Sequence, residues 1–271
     1  MSKKLRICEW RTITLRNQLQ EKLLELEQKI EDNSAQENPK IMSLMKDFLE
    51  LYKLTLQTED PHTSWINNRL YEIKRKEGNF NQKPLAVVHI VPSKSFTKSS
   101  LSLDLQEFNR KYMPMLNGEY GDSQRINYHG ILYKETFSHS YTQLYRNGIV
   151  ELVNTNFWNE DKVFYPFQFE NGIITTVEEY LRVMDYTLRT TSETSVDLHI
   201  SLLNVEGSYF SLPRGLAKIH NIDQSEIQLP SITIEIARED IMDIKDIIKP
   251  SIDLLWNAGG FVQSFPQNSF N

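Results

Sequence analysis

One stretch of the chain, residues 85–154, constrains the fold more than any other. It opens with Leu85–Pro92 (LAVVHIVP), an apolar run interrupted by a single histidine. An apolar run this short is typical of a buried strand. Later in the stretch, Asn147-Gly148 separates segments 138–146 and 149–154. Because a type I′ turn needs positive φ at both central residues, this dipeptide predicts a hairpin that joins the third strand to the fourth.

The whole chain downstream of residue 84 has the pattern of a sheet with a few helices. Six segments are rich in Val, Ile, Tyr and Thr and predict strands: 85–92, 126–134, 138–146, 149–154, 196–204 and 228–236. Segments 176–190 and 239–257 have apolar residues at helical spacing, and Pro250 predicts a kink or a break in the second. The expected fold class is α+β, with a mixed, largely antiparallel sheet. Both helices are expected to cover the same face of this sheet.

The first 80 residues have a different pattern. Four apolar residues at spacings of four and three predict one stripe of a helix, a coiled-coil or helical-hairpin seam: Leu19, Leu23, Leu26 and Ile30. Further amphipathic helices are predicted over 40–57 and 63–76. The expected organisation is a helical arm or hairpin over 1–80, a sheet domain over 84–262 and a frayed tail over 263–271.

Composition narrows the function classes. The net charge of −6 argues against a surface that binds nucleic acid through bulk positive charge. The single cysteine, Cys8, excludes an internal disulfide and indicates a reducing cytoplasm. The basic N-terminus lacks the apolar core of a signal peptide, and no apolar run is long enough to cross a membrane. We therefore expect a cytoplasmic protein without a membrane partner.

Several segments carry a resemblance to a known family. They include VVHIVP at 87–92, RINYHG at 125–130, SYTQLYRNG at 140–148 and LLWNAGGF at 254–261. Together they resemble the C-terminal region of bacterial proteins in which this region follows an Alba-like, Schlafen-related DNA-binding domain, annotated in part as ATP-binding. Residues 1–80 show no strand alternation, so the Alba-like domain itself is expected to be absent. The resemblance implies a bacterial cytoplasmic protein from a mobile-element or phage-defence setting.

Signatures of catalysis are weak. No two histidines have the helical spacing of a zinc pair, and the sequence has neither a Gly-x-Ser-x-Gly elbow nor a phosphate-binding glycine loop. We therefore predict no cofactor, no metal ligand and no catalytic residue. A metal-dependent enzyme remains the weaker alternative, and it would centre on His129, Glu135, His139 and Tyr141.

Two basic patches support a nucleic-acid-binding module as an alternative function. The first surrounds the third predicted helix and contains Arg69, Lys74, Arg75, Lys76 and Lys83, and the second contains Arg214 and Lys218. Lysine and arginine side chains in such clusters can contact phosphates. Lysines on a helix more commonly serve only to keep one face of that helix in contact with water, without binding a phosphate.

The aromatic stretch 156–169 is open to two interpretations. Phe157 and Trp158 are candidate partner-binding residues, because aromatic side chains are enriched at interface hot spots. The other interpretation is a core-filling connection laid across the sheet. Taken with the leucine stripe, the first interpretation predicts a non-enzymatic interaction or assembly subunit that binds a protein partner or forms a homo-oligomer.

Overall fold

The computed structural model describes residues 60–76, 83–97, 102–108, 113–117, 121–135, 140–190, 194–211, 221–236 and 243–265. From Pro61 onward these residues belong to one compact unit that extends to Asn271. The predicted leucine stripe and the predicted helix over 40–57 lie outside the described residues.

The described elements alternate between strands and helices. The helices are α1 (Pro61–Lys76), α2 (Leu105–Phe108), α3 (Pro166–Thr190) and α4 (Ile244–Ala258). The strands are β1 (Leu85–Pro92), β2 (Ser123–Ile126), β3 (Gly130–Lys134), β4 (Tyr141–Tyr145), β5 (Val150–Asn154), β6 (Val163–Phe164), β7 (Ser195–Leu203), β8 (Tyr209–Phe210), β9 (Glu226–Gln228) and β10 (Ile232–Glu235).

The main sheet of the described residues is antiparallel throughout. Its strands follow the order β10-β7-β1-β5-β4-β3-β2, and β9 also pairs with β7. A separate parallel pair joins β6 to β8. The central strand β1 lies between β5 and β7, and both of its faces are covered, so all eight of its residues are buried. The predicted α+β class with a largely antiparallel sheet covered by helices is confirmed.

Each face of the sheet has its own apolar core. Alternate residues of β1 such as Val88 and Ile90 pack with α3 and α4 in the larger core. The other set of alternating β1 residues, which includes Val87 and Val91, points to the opposite face of the sheet. These residues pack with α1 in a smaller core. The predicted packing of two helices on one face is therefore confirmed, and a third helix covers part of the other face.

Helix α1 belongs with the sheet. The predicted domain organisation placed it in the N-terminal arm, but its buried residues Ile66, Leu70 and Ile73 share the smaller core with β1. The reason is physical: the side of β1 that faces away from α3 and α4 is apolar and has to be covered. The compact unit accordingly starts at Pro61.

Two predicted strands are each divided in the structure. Segment 126–134 contains a turn, because Oδ1 of Asn127 accepts hydrogen bonds from the backbone N–H groups of His129 and Gly130. Segment 228–236 is interrupted at Pro230, which lacks the N–H that a continuous strand would donate. The predicted segment overlaps β9 only at Gln228 and contains all of β10, and both strands pair with β7.

The predicted hairpin between the third and fourth strands exists, but its turn differs from the prediction. Only Gly148 has positive φ, at 82°, and Asn147 does not. The N–H of Gly148 donates to the carbonyl of Tyr145, and the N–H of Tyr145 donates to the carbonyl of Ile149. The loop is thus a three-residue connection with glycine in the left-handed position instead of a type I′ turn.

Helix α3 begins ten residues before the predicted start, at Pro166, a favourable first helical residue. Helix α4 continues through Pro250 without a break.

Ser264, which follows α4, lies in the predicted frayed tail. It is nevertheless buried, and both its N–H and its hydroxyl donate to Asp253. The described start of the tail is therefore attached to α4.

Candidate functional site

A carboxylate is buried in the face of the sheet that α1 covers. Glu151 lies in β5, and its side chain is 0% exposed. Its neighbours on the same face of the strand, Ile149 and Val153, belong to the smaller apolar core. An ionised carboxylate in such a place is costly unless it is paired and hydrogen-bonded.

Three side chains supply those hydrogen bonds. Arg69 of α1 donates from Nε to Oε2 and from Nη2 to Oε1 of Glu151, each over 2.8 Å. Nε2 of His89, on β1, lies 3.0 Å from Oε2. The hydroxyl of Tyr141, on β4, donates to Oε1 over 2.9 Å. Together with Tyr145, these residues form what we call the Glu151 cluster.

The electrostatics of the Glu151 cluster favour the ionised carboxylate. Burial alone would raise the pKa of Glu151, but the hydrogen bonds from Arg69 and His89 lower it to about 2. Burial works to lower the pKa of Arg69, yet the bonds to Glu151 raise it well above its usual value. Burial, followed by the negative charge of Glu151, raises the pKa values of Tyr141 and Tyr145. The cluster therefore holds one buried ion pair and two neutral phenols.

Aromatic rings surround the ion pair. The Trp65 ring meets the His89 ring edge-on at 5.4 Å and the Tyr145 ring at 5.2 Å. The Arg69 guanidinium lies 5.9 Å from the centre of the Tyr145 ring, within cation–π range. These rings limit the access of water to the ion pair, which strengthens its hydrogen bonds.

A second polar contact attaches the start of α1 to the sheet. Nδ1 of His62 lies 3.3 Å from Oδ2 of Asp197 on β7. Thr233 of β10 donates to Oδ1 of the same carboxylate over 2.7 Å. The hydrogen bond from His62 is the main reason that the pKa of Asp197 is lowered. His62, Trp65 and Arg69 follow one another at helical spacing, so a single stripe of α1 makes all these contacts.

The described contacts give the Glu151 cluster a structural role. Both oxygens of Glu151 already accept hydrogen bonds from protein groups, whereas a catalytic carboxylate must reach a substrate proton. The cluster joins α1 to three strands: β1 through His89, β4 through Tyr141 and β5 through Glu151 itself. It fixes the angle and the position of the helix on the sheet.

The first of the two predicted basic patches does not form as expected. Arg69 is only 26% exposed and is bound to Glu151, and Lys74 forms an ion pair with Glu226 of β9. Arg75 is exposed, Lys76 ends α1, and Lys83 is exposed. The pairing neutralises two of the cations, so the first patch has less free positive charge than the sequence predicts. Arg214 and Lys218 lie outside the described residues.

The aromatic stretch is part of the core. Phe157 is 2% exposed and Trp158 is 8% exposed, and both belong to the larger apolar core. Their rings pack against Phe164 and Phe169, which come from the same stretch. The core-filling interpretation therefore describes the compact unit, and neither residue is presented at its surface as a partner-binding side chain.

The residues of the alternative enzyme site are dispersed among different contacts. Tyr141 donates to Glu151, whereas the ring of His129 contacts Tyr128 and Tyr145. Glu135 accepts a hydrogen bond from Asn156, and His139 lies outside the described residues. Within the described ranges, no group of three or more His, Cys, Asp or Glu side chains is arranged to hold a metal ion.

Sequence reasoning missed the importance of Glu151. The available signal was a lone carboxylate within an apolar run, Ile149-Val150-Glu151-Leu152-Val153. A charge in a strand with this composition requires a buried partner. The sequence does not indicate which cation supplies it, because Arg69 lies 82 positions away.

Comparisons with known proteins do not identify a family. No family model matches the chain, and no curated protein or solved structure matches it either. The fold and the cluster therefore define only the class, an α+β protein with a buried ion pair under a packed helix. Among the described helices, none is long and apolar enough to cross a membrane.

Proposed function

We propose that this protein is a non-enzymatic interaction or assembly subunit that binds a protein partner or a second copy of itself. The observation that carries the proposal is the Glu151 cluster. Its acid, base and hydroxyl groups bind one another and hold α1 on the sheet, as expected of a rigid scaffold. A scaffold of this kind suits a protein whose activity is binding.

The sequence upstream of α1 supports the same proposal. The stripe of Leu19, Leu23, Leu26 and Ile30 has the spacing of a helix seam that a partner helix can complete. A partner helix with apolar residues at the same spacing would bury this stripe.

The setting that we propose is the bacterial cytoplasm. The single cysteine supports a reducing compartment. The resemblance of 87–92, 125–130, 140–148 and 254–261 to the companion region of Alba-like proteins supports an origin in phage defence or a mobile element. No cofactor is part of the proposal.

The test is the mass of the full chain in solution, with and without its genomic neighbours. Light scattering after size-exclusion chromatography measures self-association, and affinity purification of the tagged protein with mass spectrometry measures a stoichiometric partner. We expect Leu19→Asp with Leu26→Asp to abolish the association. The matched control is Gln20→Asp with Gln28→Asp, which adds the same charge off the stripe.

Two results would contradict the proposal. One is a monomer without a stoichiometric partner over the whole accessible concentration range. The other is an association that both double variants weaken equally, since that would reflect added charge alone. Circular dichroism of each variant ensures that a loss of association is not a loss of fold.

A further inference from the structure

The hairpin formed by β2 and β3 carries a group of exposed side chains that the Glu151 cluster does not use. We call this group the hairpin patch, and it consists of Arg125, Tyr128, His129, Lys134 and the adjacent Arg146. All five are exposed. Tyr128 is 88% exposed, a high value for an aromatic residue.

The strand register places two of the cations side by side. Arg125 is opposite Leu132, and Lys134 follows Leu132 by two positions in β3. Because side chains alternate along a strand, Arg125 and Lys134 project from the same face of the hairpin. They are diagonal neighbours on adjacent strands, roughly 7–8 Å apart.

The third cation lies at the turn. Nε of Arg146 donates to the carbonyl of Tyr128 over 3.1 Å, and its backbone N–H donates to the carbonyl of His129 over 3.0 Å. These contacts hold the guanidinium beside the exposed tyrosine. The patch therefore combines three cations with an aromatic ring.

The cations of the hairpin patch lack carboxylate partners among the described residues. By contrast, Arg69, Lys74, Arg182 and Lys249 each form an ion pair with a carboxylate. Asp122 and Glu135 are the carboxylates at the two ends of the hairpin sequence, and Glu135 accepts a hydrogen bond from Asn156. Arg125 and Lys134 on the hairpin and Arg146 beside it thus place three exposed cations on one part of a chain whose net charge is −6.

The aromatic tip is held in place. Asn127 accepts hydrogen bonds from the N–H groups of His129 and Gly130, and its Nδ2 donates to Gln143 over 2.7 Å. The rings of Tyr128 and His129 meet edge to face at 5.4 Å. At 88% exposure the faces of the Tyr128 ring are open to solvent. A ligand that stacks on Tyr128 therefore meets a preorganised surface.

The chemistry of the patch favours a nucleic acid over a protein. Protein interfaces have cores depleted in charge, whereas this patch carries three cations, one of which, Arg146, donates to the backbone carbonyl of Tyr128. Ile126, which is 50% exposed, lies next to Arg125 in β2 and projects from the opposite face. The apolar side chain on the face that Arg125 and Lys134 share is Leu132, which is half-buried. Aromatic rings interspersed with free cations are typical of surfaces that bind single strands, whose bases are free to stack.

We infer that the hairpin patch binds single-stranded nucleic acid, with Arg125, Lys134 and Arg146 on phosphates and Tyr128 stacked on a base. This site differs from the predicted patch around α1, where Arg69 and Lys74 are paired. It is also independent of the proposed assembly function, because none of its residues belongs to the leucine stripe or the Glu151 cluster.

The experiment measures fluorescence anisotropy of labelled oligodeoxythymidine and oligouridine with the full chain over a series of salt concentrations. We expect Tyr128→Ala to weaken binding roughly 5- to 100-fold through lost stacking. We expect the triple variant Arg125→Ala, Lys134→Ala, Arg146→Ala to reduce the slope of log affinity against log salt by about 2. Arg125→Lys keeps the charge and should retain most of the binding.

The matched control is the double variant Arg75→Ala, Lys83→Ala, which removes exposed cations of the predicted α1 patch. It should leave the affinity within about twofold if the hairpin patch is the site. Equal losses in the control and the hairpin variants would overturn the inference, as would the absence of salt-dependent binding.

Competition distinguishes a nucleic acid from an acidic protein partner. Polyglutamate that displaces the oligonucleotide at equal charge, together with a Tyr128→Ala variant of unchanged affinity, would also overturn the inference. All substitutions are at exposed positions, and unchanged thermal unfolding confirms that each variant is folded. Light scattering on the same variants separates this result from the assembly test, since hairpin substitutions should leave the association state unchanged.

Discussion

The guanidinium of Arg69 binds the buried carboxylate of Glu151 through two hydrogen bonds of 2.8 Å each, across 82 positions of sequence. This bidentate geometry is the strongest arrangement that the two groups can form. It links a helix to the middle of a sheet, and His89 and Tyr141 bind the remaining sites of the carboxylate. The stability of the contact between α1 and the sheet should depend on this pair.

We predict that Glu151→Gln destabilises the protein by about 3 kcal/mol. The substitution leaves the Arg69 charge half-buried without its counter-ion, and breaking one partner of a buried pair typically has a cost of this size. Urea unfolding followed by circular dichroism measures it. The control is Glu179→Gln, which removes the carboxylate partner of the exposed Arg182 and should cost less than about 1 kcal/mol. Similar losses in both variants would show that the buried pair contributes no more than a surface pair.

Acid should weaken the fold through the same residue. The folded pKa of Glu151 is about 2, below the usual 4.5, so its ionised form stabilises the folded state above pH 4.5. This contribution falls as the pH drops from about 4.5 to about 2, because the folded state must then take up a proton that the unfolded state has already bound. Thermal unfolding between pH 7 and pH 2 checks the window.

The Glu151→Gln variant is the control for that pH series. Its stability should fall less steeply between pH 4.5 and pH 2 than that of the parent. A residual slope is expected, because the pKa values of Asp197 and Asp253 are also lowered in the folded state. Parallel curves for parent and variant would contradict the assignment of this acid dependence to Glu151.

Local patterns predict much of the sheet. The strand Leu85–Pro92 has the bounds that its apolar run indicates, and the hairpin at Asn147-Gly148 is where the dipeptide places it. Turn chemistry within a uniform strand pattern is harder to detect. Asn127 and Pro230 divide two predicted strands because a side-chain hydrogen bond and a missing N–H act locally, against the surrounding β propensity.

The candidate sites depend on pairings that no local pattern contains. Arg69 meets Glu151 only because β5 pairs with β1 and α1 crosses that part of the sheet. From the sequence, Arg69 is simply one cation of a basic helix. The hairpin patch was overlooked for a related reason: Tyr128 falls in a segment predicted to be strand, and only the turn at Asn127 makes it project into solvent.

Burial predicts opposite effects for two aromatic residues. Phe157→Ala should destabilise the protein by about 3–5 kcal/mol, because it leaves a cavity in the larger core. Tyr128→Ala should change stability by less than about 0.5 kcal/mol, since the ring is almost fully exposed. Chemical denaturation of the two variants side by side is the measurement. A small effect of Phe157→Ala would revive the interpretation of this ring as a partner-binding residue.

Gly172 should tolerate no side chain, although it lies within α3. A Cβ atom built there would come within 2.1 Å of the carbonyl oxygen of Leu116, a backbone atom. Alanine normally stabilises a helix interior by about 1 kcal/mol relative to glycine, but here either α3 or the chain at Leu116 must move. We predict that Gly172→Ala lowers the free energy of unfolding by about 1–3 kcal/mol, the usual range for an overpacked core.

The control is Gln168→Ala, at an exposed position of the same helix, which should be neutral or slightly stabilising. If urea unfolding instead finds Gly172→Ala more stable than the parent, α3 does not approach Leu116 this closely.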